Sequence, residues 1–199
     1  GSGQLYTSTD AGVSWAADST KDLKFVVYRS GDTGGTGLLR FYGTSGIKQT
    51  IAKFGSSLYR GNDSTGAMTA ISLGNGSSLS ASNYLDWTIF NDTLLVVDNS
   101  SYVQKYRGST NSNYTTGTVS VTNGSAIITG SGTSWATATN AETGEYIKLP
   151  DGKWYLITAV SSDTSITIET DYLGSDASAQ TYTISPWGEV QGKLSSELA

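Results

Sequence analysis

The chain has no histidine and no cysteine. Without histidine, Ser-His-Asp and Cys-His nucleophile systems are excluded in their usual form, and so is the commonest neutral metal ligand. Without cysteine there is no disulfide and no thiolate metal site, while secretion is neither required nor excluded. Proline occurs only twice, and no stretch repeats apolar residues at i, i+3, i+4 and i+7, so helices are not expected. No run of roughly 18 residues is apolar enough to cross a membrane, and no membrane insertion is expected. Cations are scarce as well: Lys and Arg number 12 against 17 Asp and Glu, a net charge of −5. A surface that grips nucleic acid needs clustered Lys and Arg to neutralise phosphates. That balance speaks against stable nucleic-acid binding but is compatible with a wall past which DNA slides. The chain also starts Gly1-Ser2-Gly3 without an initiator methionine, its single Met being Met68, so a part of something longer is expected.

What remains is rich in Gly, Ser, Thr and Asn around short apolar runs, the composition of turns and strands. The clearest stretch is 116–135, TGTVSVTNGSAIITGSGTSW. Val119 and Val121 alternate with Thr118, Ser120 and Thr122, the period of a strand with one buried face. Asn123-Gly124 predicts a type I′ hairpin turn, since both residues accept positive φ. Ala126 to Thr129 form the returning strand, and Gly130-Ser131-Gly132-Thr133 ends the pairing before Trp135. A unit that opens so cleanly places a boundary near residue 115.

Before that boundary, strands are predicted at 23–29 (LKFVVYR), 38–42, 47–54, 67–73, 84–90, 93–97 and 102–107. The short polar gaps between them are those of antiparallel meanders. Phe54-Gly-Ser-Ser-Leu58 and Phe90-Asn-Asp-Thr-Leu94 form a faint repeat: an aromatic, a polar turn, then Leu opening a strand. The spacing is close to the length of one propeller blade. Ser8-Thr9-Asp10-Ala11-Gly12-Val13-Ser14-Trp15 resembles the Asp-box turn of many propellers. In that turn Asp10 caps backbone N–H groups, Gly12 takes positive φ and Trp15 packs between strands. Two to three blades fit before residue 115, fewer than a closed propeller needs. Further chain or neighbouring subunits are therefore expected to cover the strand edges.

After Trp135, strands are predicted at 144–149, 154–160, 166–168 and 182–184, enough for a small barrel or sandwich. This region, with its T-G-T-V-x-V-x-N-G-S hairpin, G-x-G-T-x-W segment, Trp strand and S-D-T-S hairpin, resembles a small β-domain of tailed-bacteriophage structural proteins. The preceding LDWTIFNDTLLVVDNSSYVQKYRG is similar to blades of phage tail-hub and nozzle propellers. The resemblance implies an all-β chain: propeller-like blades over 1–115, a small inserted barrel or sandwich over 116–185, and a return segment toward a further blade over 186–199. It also implies a virion building block of the tail, assembled in the bacterial cytoplasm. The expected partners are other copies in a ring around the DNA channel, neighbouring tail or portal-adaptor proteins, and DNA only in transit. The family supplies no catalytic residues to carry over.

Residue chemistry separates the candidate sites. Asp10 reads as a stabilising turn rather than a sialidase-like centre, which also wants converging arginines; Arg29, Arg40, Arg60 and Arg107 lie on separate strands. Asp86 with Asp92, and Glu142 with Glu145, are the nearest carboxylate pairs for glycoside hydrolysis, and nothing separates them from turn residues. Asp98-Asn99 and Asp171 lack the spacing of a calcium loop. Trp15, Trp87, Trp135 and Trp154 are expected in cores. Trp187, after Pro186, is the candidate for a glycan or partner contact. Sequons at Asn62, Asn75, Asn91, Asn99, Asn113 and Asn123 coincide with turn signals, and a protein made in bacterial cytoplasm leaves them bare. No catalytic, metal or cofactor site is expected. A structural, non-enzymatic role is the reading, with a glycan-binding adhesin or tail-fibre module facing a host-surface glycan, and a propeller-core glycosidase, as alternatives.

Overall fold

In a computed structural model, residues 5–7, 16–18, 37–43, 46–74, 79–98 and 102–190 are described. The chain divides into two compact units, Gly1–Asp32 and Thr33–Ala199. In the first, β1 (Leu5–Thr7) pairs antiparallel with β2 (Ala16–Asp18). The Asp-box residues Ser8, Asp10, Gly12 and Trp15, and the strand expected at 23–29, lie outside the described residues.

The second unit is all antiparallel β-structure, with no helix among its described residues. It opens with a four-stranded meander of β3 (Gly37–Tyr42), β4 (Lys48–Phe54), β5 (Ser57–Gly61) and β6 (Met68–Ile71). Alternation decides its faces: Leu39, Phe41, Ile51 and Leu58 point into one core, and the residues between them point away. A second meander follows: β7 (Asp86–Phe90), β8 (Thr93–Val97) and β9 (Gln104–Tyr106). Leu94, Val96 and Tyr106 enter the same core as the first sheet.

The chain then builds a larger sheet from β10 (Thr118–Val121), β11 (Ile127–Ser131), β12 (Tyr146–Lys148), β13 (Trp154–Ser162), β14 (Ser165–Ile168), β15 (Ala177–Gln180) and β16 (Thr183–Ser185). These seven strands run in the order β15-β10-β11-β14-β13-β12-β16. Register shifts of β13 against β14 around Ala159 and Val160 bend the sheet, and it curls into a half-barrel. Val119, Ile128, Trp135, Ile147, Ile157, Ile166 and Ile184 fill its inside. The Trp135 indole N–H donates to the Tyr182 hydroxyl at 3.0 Å, and that hydroxyl donates to the Thr116 carbonyl at 2.6 Å. Gly130 is required beside it, because a Cβ there would lie 2.3 Å from Thr133 Oγ1 and 2.7 Å from the Trp135 ring.

The expected hairpin at 116–135 is present, with Val119 opposite Gly130, but its turn differs from expectation. Only Gly124 takes positive φ, at 77°, and Ser125 N donates to Thr122 O at 3.1 Å, the pattern of a type II rather than a type I′ turn. Tertiary bonds set it: Asn123 N donates to Asp176 Oδ1 at 2.7 Å and Asn123 Nδ2 to Gly174 O at 2.9 Å. The two-residue turn with both central residues at positive φ is instead Asn91-Asp92, at 45° and 61°, between Phe90 and Thr93.

After the half-barrel, β17 (Trp187–Glu189) pairs antiparallel with β9, Trp187 opposite Tyr106. The segment expected to lead toward a further blade thus supplies the fourth strand of the sheet that β7 begins, in the order β17-β9-β8-β7. The Phe54 and Phe90 repeats do fall on equivalent hairpins, β4–β5 and β7–β8, each with its Leu buried. They differ in sheet position: β4 is an inner strand and β7 an edge.

Candidate functional site

A concavity bearing charge lies where the β7–β8–β9–β17 sheet meets the half-barrel. It is a cleft of about 620 Å³ whose walls include Asp92, Arg107, Ser109, Glu142, Thr158 and Glu169. A smaller recess of about 220 Å³ shares Arg107, Leu156 and Glu169 with it and adds Phe90, Lys105 and Tyr146. The Asn91-Asp92 turn carries Asp92 to the rim, where its carboxylate lies 3.7 Å from the Arg107 guanidinium.

Behind the cleft, the loop after β9 is held by a chain of buried polar groups. The Tyr106 hydroxyl lies 2.5 Å from Gln49 Oε1 and 2.8 Å from the Ser109 carbonyl, and Gln49 Nε2 donates to the Gly108 carbonyl at 3.0 Å. Ser109 Oγ donates to Glu145 Oε1 at 2.5 Å, and Glu142 N donates to Glu145 Oε2 at 2.9 Å. Gly108 needs its glycine: its φ is 106°, and a Cβ would meet Ile47 at 2.6 Å. Lys105 reaches across to the half-barrel, its ammonium 3.3 Å from the Trp154 carbonyl and 4.5 Å from the Tyr146 ring centroid. Burial lowers the Lys105 ammonium below the ordinary lysine value, against the pull of Glu169, and burial pushes the Tyr146 phenol up to about 12.

Burial also raises the Glu145 carboxyl above the ordinary glutamate range, with the Ser109 hydrogen bond opposing it. The native state therefore holds that proton more tightly than the unfolded chain does. Glu145 imposes no penalty below the unfolded value of about 4.3, and the penalty grows as pH rises through the raised native value. Expected outcome: in urea unfolding between pH 4 and 7, the stability of Glu145→Gln relative to wild type rises with pH. A flat difference would show that the raised carboxyl does not act on folding.

The carboxylates proposed from sequence fall at separate places in the fold. Glu142 and Glu145 do come together, but Glu145 is fully buried, with both oxygens occupied. Asp86 opens β7, Asp92 belongs to the turn after it, and Asp171 is exposed. Asp98 is buried and accepts from Ser80 N at 2.5 Å; its neighbouring cation is Lys53, while Asn99 lies outside the described residues. The arginines do not share a target: Arg40 grips Asp63 with two N–H groups, Arg107 faces Asp92, Arg60 lies near the Tyr106 hydroxyl, and Arg29 lies outside the described residues.

Two tryptophan expectations are corrected. Trp187, the candidate glycan or partner contact, is 1% exposed and stacks on Tyr106 at 4.4 Å between centroids; an enclosed ring is a core residue and offers no face to a sugar. Trp87, expected in the core, is 42% exposed, because β7 is an edge strand with no sheet beyond it among the described residues. Trp135 and Trp154 are buried as expected. Sequence reasoning missed Lys53, Gln49 and Ser109. The signal for the first two was their phase in β4, which places them on the inward face with Ile51; Ser109 gave none. No protein-family model, no curated protein and no solved structure matches the chain.

Proposed function

We propose that this chain is a structural component of a tailed-phage virion, a tail hub or nozzle ring protein whose half-barrel is inserted in a propeller-like blade. The observation that carries the reading is the return of β17 to β9. A four-stranded antiparallel meander is interrupted between its third and fourth strands by the half-barrel, which agrees with the architecture that the phage resemblance implies. In this reading the subunits meet by heterologous contacts that close into a ring. The net charge of −5 keeps the lumen from holding DNA, since few Lys or Arg are on offer to displace counterions. Behind the cleft, Lys105 and Glu145 tie the half-barrel to the sheet and to the loop after β9, a mechanical role that needs no catalyst. Electron microscopy of the purified chain tests it: closed rings with a central channel are the expected result. Fibres or particles without a channel, or a lumen lined by Lys and Arg, would sink it.

A further inference from the structure

β7 is a liability as it stands. All five of its residues are exposed, and among the described residues no strand pairs with its outer edge. Trp87 is 42% and Ile89 38% exposed on one face; Phe90 is 73% exposed on the other, with Tyr84 at 81% just before the strand. Free edges in soluble monomers are blunted by Lys, Pro, bulges or very short strands. β17 has only three residues and β15 is kinked by Ala179 at φ 53°. β7 has none of these devices, and its register with β8 is unbroken. Asp86 is its only charge.

We infer that β7 pairs antiparallel with β7 of a second copy about a two-fold axis at Thr88. The register follows from hydrogen-bond geometry. The two-residue turn after Phe90 makes Phe90 and Thr93 a hydrogen-bonded pair, and strict alternation then turns the N–H and C=O of Trp87 and Ile89 outward. A self-pairing strand must set those outward residues against each other, which leaves three registers. Ile89 opposite Ile89 places Asp86 against Asp92, a like-charge contact. Trp87 opposite Trp87 sets Ile89 and Phe90 against residues before the strand. Trp87 opposite Ile89 pairs all five residues, makes two aromatic–β-branched contacts and one Thr–Thr contact, and sets Asp86 against Phe90. No carboxylate then faces another.

The contact is modest in size. With about 200 Å² for a whole aromatic side chain, the exposed parts of Tyr84, Trp87 and Phe90 offer about 400 Å² per copy. That is half of a standard interface, which buries about 800 Å² per partner, so the dimer dissociates on dilution. A two-fold contact closes at two copies and so stands apart from the ring reading.

The absence of cysteine makes the test clean, because an introduced thiol is the only one in the chain. In the proposed register Thr88 faces its own copy as a non-hydrogen-bonded pair, Cα to Cα about 4.5 Å, within disulfide range. The two Asp86 Cα atoms lie about 14 Å apart. Mild oxidation of Thr88→Cys should give a disulfide-linked pair on a non-reducing gel, and Asp86→Cys should stay single. The added substitution Ile89→Lys should abolish the Thr88→Cys link and hold the chain monomeric in sedimentation velocity, with an unchanged circular dichroism spectrum as the check on folding. Equal linking of both cysteine variants, no linking of Thr88→Cys at concentrations where sedimentation finds a dimer, or monomer alone at every concentration reached, overturns the proposal. Persistence of the link with Ile89→Lys overturns it as well.

Discussion

Replacing Trp187 with alanine lowers the stability of the Thr33–Ala199 unit by about 3–5 kcal/mol, the range for deleting a large buried aromatic. The ring is enclosed, stacks nearly flat on Tyr106 at an interplanar angle of 9°, and belongs to the core shared by both four-stranded sheets. The Trp187 backbone is packed closely as well: a Cβ on Gly74 would lie 2.4 Å from the Trp187 carbonyl and 2.4 Å from the Trp154 ring. Trp87→Ala is the contrast. On an exposed edge it should shift stability by about 0.5 kcal/mol or less. Urea unfolding followed by circular dichroism measures both. Equal losses at Trp187 and Trp87 would mean that the ring is not the keystone of that core.

Lys53→Met is expected to destabilise the same unit by about 3–5 kcal/mol, as for breaking one side of a buried charged pair. Lys53 is fully buried, and its ammonium donates to the Ser80 carbonyl at 2.5 Å and the Asn83 carbonyl at 2.6 Å. Asp98 supports its charge against the desolvation that lowers it. Asp98 in turn accepts from Ser80 N, and Asn83 Nδ2 donates to the Asp98 carbonyl at 2.8 Å. One lysine and one aspartate thus strap the segment between β6 and β7 onto the first sheet. Methionine fills the volume but abandons two carbonyls and a carboxylate. The double variant Lys53→Met with Asp98→Asn should lose less than the sum of the two single changes, because the second removes the charge that the first leaves stranded. Additive losses in urea unfolding would mean that the two side chains do not act as a pair.

Much of this fold is legible in the residues. The alternation of 38–42, 47–54 and 93–97 leads to strands at Gly37–Tyr42, Lys48–Phe54 and Thr93–Val97, because one face of each lies on the core and the period of two records it. The turn at Asn123 misled because propensity is a local preference, and bonds to Asp176 and Gly174 from another part of the chain outweighed it. β15, Ala-Ser-Ala-Gln, carries no β-branched or aromatic residue; it is a strand because the edge of β10 is there to receive it. Trp87 lies within a strand predicted at 84–90, and Trp187 follows Pro186 outside any predicted strand. Which one is buried depends on the strand order, and strand order is a long-range property. The polar groups around Ser109 escape for the same reason: Gln49, Tyr106, Ser109 and Glu145 come from separate segments that meet only in the folded chain.

The pairing of β17 with β9 also joins the thermodynamics of two regions. Gln104 and Glu189, bonded across that pair, stand 85 residues apart in the chain. Closing so long a flexible loop costs about 4 kcal/mol of chain entropy beyond a constant term, and closing one of a dozen residues costs about 2 kcal/mol. A formed half-barrel shortens the free loop to its two connecting segments. It thereby lowers the entropic cost of completing the neighbouring sheet by about 2 kcal/mol, so each region's folding favours the other's even where no side chain passes between them.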